Sequence, residues 1–167
     1  MILIKIMVLK YLFIAIFRKH SMRYLCNSHR AQFINDPQHA AQSWQVIMLQ
    51  ARELFHMQDW HKAAIVYGNA FEISELLLTS DPTIFSVDRY LRCALEFAYA
   101  LRKNNTDSNL NSLIPHVKSN IKNIKHSLAT EYLMQPVEEV INLPIHLSDH
   151  WMQSLLSLDH LDHRVLH

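Results

Sequence analysis

Between Gln42 and Ser74 the apolar positions follow two helical periods that meet at a short polar break, Met57-Gln58-Asp59. Before the break, Trp44, Ile47, Met48, Ala51, Leu54 and Phe55 recur at steps of three and four, which predicts a helix over 38–57. After it, Ala63, Val66, Tyr67, Ala70, Ile73, Leu76 and Leu77 carry the same period and predict a helix over 60–79. Small residues stand where two such helices would touch, Ala51 on the first and Ala63 and Ala70 on the second, so the pair reads as a tight hairpin. Punctuation agrees with these limits. Asn35-Asp36-Pro37 offers a capping side chain followed by proline in a first turn, and Asp59 offers a second cap.

The pattern continues downstream. Asp81-Pro82 signals a third helix ending near Lys103, with Tyr90, Leu91, Ala94, Leu95, Phe97, Ala98 and Leu101 as its apolar positions. The polar run Asn104–Ser112 reads as a loop. A fourth helix is expected over 113–134, with Pro115 in its first turn and Ile114, Val117, Ile121, Ile124 and Leu128 in period. Gln135-Pro136 restarts a short helix that stops before Pro144. Ser148 then caps a last helix over 149–166, whose face holds Trp151, Leu155, Leu158, Leu161 and Val165. No sustained alternation with a period of two occurs. The fold class is all-α, with antiparallel hairpins and about six helices in a domain spanning 38–167, preceded by a linker or short helix over 22–37.

Composition sharpens this picture in one respect. The chain has a single glycine in 167 residues, where average usage would give roughly twelve. Strand-rich folds need glycine in hairpin turns, and phosphate-cradling loops need it for close backbone approach. Its scarcity favours helices and argues against Rossmann or P-loop nucleotide sites, and no cofactor is called for. A net charge of +1 gives no nucleic-acid footprint. Cys26 and Cys93 form neither a disulfide framework nor a metal motif, and neither has an obvious histidine partner nearby in sequence. A cytoplasmic location is the default reading.

Residues 1–17 stand apart. They are strongly apolar, interrupted by Lys5 and Lys10 and followed by Arg18, Lys19 and Arg23. Three readings fit: a membrane anchor on the inner face of a membrane, held by these cations; an additional core or partner-binding helix; or a translation artefact with the true start at Met22. Residues 1–21 are therefore treated as a separate apolar segment.

The hairpin over 42–75 resembles a tetratricopeptide repeat. Ile47, Gln50, Ala51 and Leu54 fall at the positions of that family's first-helix motif, Ala63, Tyr67 and Ala70 at those of its second, and Asp59-Trp60 at the end of its turn. Gln50 replaces a core leucine, Glu75 stands where a closing proline belongs, and Gly68 is not at the family's glycine position. A second unit would begin at Tyr90, with Cys93, Ala94 and Phe97 in the matching places. The resemblance implies a non-enzymatic adaptor whose groove, lined by the first helix of each hairpin, takes a peptide or partner helix. A second copy of the chain could cover an apolar face left by an incomplete array, giving a homodimer.

Candidate chemistry is sparse. Arg89, Arg92, Arg102 and Lys103 on the third helix, and Lys118, Lys122 and Lys125 on the fourth, form basic strips able to grip a partner's carboxylates. Asp88 and Glu96 each lie four residues from Arg92 and offer local neutralisation instead. His160, His163 and His167 share a stripe of the last helix, near Asp159 and Asp162 and downstream of His146 and His150, and form the one metal candidate. Glu53 and His56 supply half of a di-iron motif whose second half is missing. The aromatics Trp44, Trp60, Tyr67, Tyr90, Phe97, Tyr99 and Trp151 suit either a stacking groove or a core.

Overall fold

The computed structural model describes residues 23–80, 84–105, 107–124 and 128–162, with side chains 107–109, 123–124, 128–133 and 158–162 left aside. Seven helices make up this portion, with no strand among the described residues: α1 (Asn27–Asn35), α2 (Pro37–His56), α3 (Trp60–Ser80), α4 (Val87–Lys103), α5 (Asp107–Ile124), α6 (Leu128–Asn142) and α7 (Ile145–Asp162). The all-α expectation holds. Residues 1–22, and with them every reading of the apolar N-terminal segment, lie outside the described residues. No helix among those described is long and apolar enough to cross a membrane.

The α2–α3 hairpin forms as its sequence dictates. Asp36 caps α2 by accepting a hydrogen bond from the His39 amide at 3.0 Å, with Pro37 as the first helical residue. Asp59 caps α3 through the Lys62 amide at 3.2 Å. Between them α2 ends in a Schellman arrangement, in which the Gln58 amide donates to the Phe55 carbonyl and the Asp59 amide to the Leu54 carbonyl, both at 3.0 Å. Gln58 takes the left-handed conformation this closure demands, with φ 60°. Ala51, Ala63 and Ala70 are fully buried, and Leu54 packs against the core beside them.

Several downstream boundaries differ from the expected ones. Residues 22–37, read as a linker or short helix, hold the short helix α1. The Asp81-Pro82 signal lies at residues outside those described, and α4 is capped instead by Ser86, whose hydroxyl accepts from the Arg89 amide. Most of the polar run Asn104–Ser112 is helical, because α5 already starts at Asp107 and buried Leu110 and Leu113 anchor its first turns. The helix expected over 113–134 is divided between α5 and α6, and both prolines fall inside helices. Ser148 is not a cap. It is buried one turn into α7 and donates to the Val140 carbonyl at 3.2 Å while accepting from Arg102 at 3.0 Å.

α4 is the central element. It packs on α3, α5 and α6, and every residue from Cys93 to Leu101 is buried. Its polar stripe, which includes Arg92, Glu96 and Lys103, is not left to water but is engaged in ion pairs. The aromatics Trp44, Trp60, Tyr67, Tyr90, Phe97, Tyr99 and Trp151 all belong to this core or pack against it, with Trp44, Trp60 and Trp151 only partly buried.

Candidate functional site

Two buried carboxylates organise the half of the molecule around α2. Glu96, fully buried on α4, accepts from Arg52 Nε at 3.0 Å and Nη2 at 2.7 Å, from Arg92 Nε at 3.1 Å, and from the Tyr67 hydroxyl at 2.9 Å. One carboxylate thus ties α2, α3 and α4 with a forked, charge-assisted grip. Burial first, and then Glu96, push the Tyr67 hydroxyl well above its ordinary range, so it stays a donor. Burial likewise pushes the Cys93 thiol up, with Trp44 and Ser74 beside it, and leaves it unsuited to act as a nucleophile.

Glu72 on α3 does the corresponding work at the N-terminal side. It accepts from the amides of Tyr24 at 2.7 Å and Leu25 at 2.8 Å, and it pairs with Arg30 of α1. The Tyr24 ring then lies against Gly68, where an added Cβ would come within 2.4 Å of it, and meets Phe97 edge-on at 5.5 Å. The chain's one glycine is therefore the seat of this arm.

The arm and α1 stand off from the first half of α2, leaving an open cleft of about 930 Å³. Its apolar wall includes Tyr24, Leu25, Phe33, Val46 and Ile47, and its polar positions include Gln42, Ser43 and Asn69. Cys26 lies in it with Sγ 3.2 Å from Nδ1 of His29, and the His29 ring stacks on Phe33 at 6.4 Å. This thiol–imidazole contact escaped the sequence reading, although a spacing of three residues at a helix start was there to be noticed.

The cleft opens onto the outward face of α2. His39, Gln42, Val46, Leu49, Gln50, Glu53 and Met57 share that face by helical spacing, and all are exposed. Val46 and Leu49 are 65% and 57% exposed, one turn apart, while the opposite face of the same helix buries Ala40, Met48, Ala51 and Phe55. The half di-iron motif lies in the same region, with Glu53 and His56 both exposed. Gln50, which replaces a core leucine in the repeat pattern, is exposed here too.

Of the expected basic strips, Arg92 and Arg102 are tied inside the molecule, and Lys103 and Lys118 form partly exposed ion pairs. Arg92 serves Glu96. Arg102 donates to the Val140 carbonyl at 2.7 Å and to Ser148, so it is an internal tie between α4, α6 and α7 and not a surface grip. Lys103 pairs with Asp149, and Lys118 with Glu138 at 2.5 Å. Arg89 and Lys122 are exposed, and Lys125 lies outside the described residues, as do the side chain of His160 and residues His163 and His167. No cluster of three or more potential ligands able to hold a metal occurs among the described residues.

An all-helical domain with one tight hairpin, a charge-locked centre and a partly uncovered first long helix is the class these features define. No protein-family model, curated protein or solved structure matches the chain.

Proposed function

We propose that this chain is a non-enzymatic protein-interaction module, of the helical-repeat kind its first hairpin resembles, and that it docks a partner along the outward face of α2. The observation that carries this reading is the pair Val46 and Leu49. Two large aliphatic side chains stay largely in water on a helix whose other face is in the core; Val46 lines the cleft and Leu49 lies one turn beyond it. Covering what remains exposed of both would contribute about 2–4 kcal/mol. Flanking Gln42, Gln50 and Glu53 supply the polar rim of an interface. A partner offering an amphipathic helix, with apolar residues at steps of three and four, fits such a ridge-and-cleft surface. The Arg52–Glu96–Tyr67 lock supports the same role, since it holds α2 rigid against the core and lowers the ordering cost of docking.

The test is a photoreactive residue placed at position 46, identification of what it captures, and binding measurements with the captured partner purified. Replacement of Val46 and Leu49 by aspartate is expected to weaken that binding at least tenfold while the helical circular dichroism is unchanged. Capture of a second copy of this chain would make the face a homodimer interface. Failure to capture any protein, together with turnover of a substrate by the purified chain, overturns the reading.

A further inference from the structure

At the other end of α2 the hairpin turn borders a separate cavity of about 430 Å³. Its inner wall is aromatic: Phe55 lies 5.2 Å from Trp60 and 5.3 Å from Tyr99, ring centre to ring centre. On this wall stands an ion pair. Lys103 Nζ is 3.2 Å from each oxygen of Asp149 and 5.1 Å from the centre of the Trp60 ring. The Tyr99 hydroxyl donates to the same carboxylate at 2.5 Å. The two charged side chains remain 22% and 33% exposed and line the cavity together. His56, Gln58 and Gln153 line it as well, and each glutamine amide offers both a donor and an acceptor.

Gln58 occupies the left-handed position that closes α2, a place helices usually fill with glycine, so glycine can replace it without loss of the turn.

The permanently charged side chains of this lining are one cation and one anion side by side, which leave little net field for an ion of either sign. It is complementary to a molecule that carries both charges at similar separation. In an α-amino acid the carboxylate and the ammonium group leave the same carbon. Laid antiparallel to the Lys103–Asp149 pair, the carboxylate meets Lys103 and the ammonium meets Asp149, closing a ring of four alternating charges. The side chain then rests on the aromatic wall. The volume lies toward the small end of the range for ligand sites, about 300–1,000 Å³, which suits a single amino acid. We infer that the cavity between the hairpin turn, α4 and α7 binds a free zwitterionic α-amino acid with an aromatic or aliphatic side chain.

The test follows the Trp60 indole N–H signal by ¹⁵N NMR on the full chain, assigned with Trp60→Phe. L-phenylalanine and L-leucine are the probes. N-acetyl-L-phenylalanine, which lacks the ammonium, and L-phenylalaninamide, which lacks the carboxylate, are the controls. At least one probe is expected to give a saturable shift, and each control to bind at least tenfold more weakly than L-phenylalanine. Asp149→Asn is expected to remove the saturable shift. Gln58→Gly, which relieves the turn and so keeps the fold, is expected to weaken binding several-fold. No saturable shift with either probe overturns the inference, as do controls that bind as well as L-phenylalanine, or full binding by Gln58→Gly and a folded Asp149→Asn together.

Discussion

Gly68 and Tyr24 show how closely single side chains are matched in this molecule. In an exposed helix, Gly→Ala gains about 1 kcal/mol. At Gly68 the new methyl group would meet the Tyr24 ring at 2.4 Å. That ring cannot swing away freely, because its own amide is held by Glu72 and its edge by Phe97. Gly68→Ala is therefore expected to destabilise by about 1–3 kcal/mol in urea unfolding, and to become neutral or stabilising in a Tyr24→Ala background. Glu96 gives a larger effect. Glu96→Gln leaves Arg52 and Arg92 facing a neutral amide, with an expected loss of about 3 kcal/mol, measured the same way. Very little of this was legible in the sequence. Glu96 could be paired on paper with Arg92, four residues away. Its stronger partner, Arg52, lies 44 positions back, and only the docking of α4 on the hairpin brings the two together.

Among the elements, α5 is held to α3 by a polar clasp. His116 pairs with Glu75, and Asn120 donates to Glu75 at 2.8 Å and to the Tyr90 hydroxyl at 3.1 Å. The hydrogen bond to Glu75 holds the His116 pKa above its ordinary 6.5, against the opposing effect of burial. Because the folded-state pKa is raised, the clasp's contribution is full below about pH 6.5 and is lost as pH rises through the higher folded value. Stability measured across neutral pH should fall over that window in the wild type, and His116→Gln should remove that part of the pH dependence. The elements also show where sequence punctuation misleads. Asp36 and Asp59 cap helices as their spacing promises. Pro115 does not start a helix, because the carbonyl it deprives of a partner belongs to Asn111, which is exposed to water. Buried Leu110 and Leu113 then carry α5 through the polar run that reads locally as a loop.

For the molecule as a whole, the division of labour follows burial. α4 is enclosed by α3, α5 and α6, and its Arg92 and Arg102 are spent on internal ties, whereas α2 has one face in the core and one in water. The sequence showed the hairpin and its small-residue contact, because those depend on neighbours in the chain. It did not show the ties of Arg102 and Lys103, because their partners, Val140, Ser148 and Asp149, come from helices far along the chain. Val46, Leu49 and Met57 on one face of α2 and its end are the three most exposed large hydrophobic side chains among the described residues. Photo-crosslinking from position 46, compared with positions 89 and 122 and followed by binding measurements on the purified partner, tests the docking role of that row most directly. The predicted result is a protein captured from position 46 in preference to the other two, whose affinity falls at least tenfold when Val46 and Leu49 become aspartate. Equal capture from all three positions, or undiminished binding by the folded double variant, would contradict it.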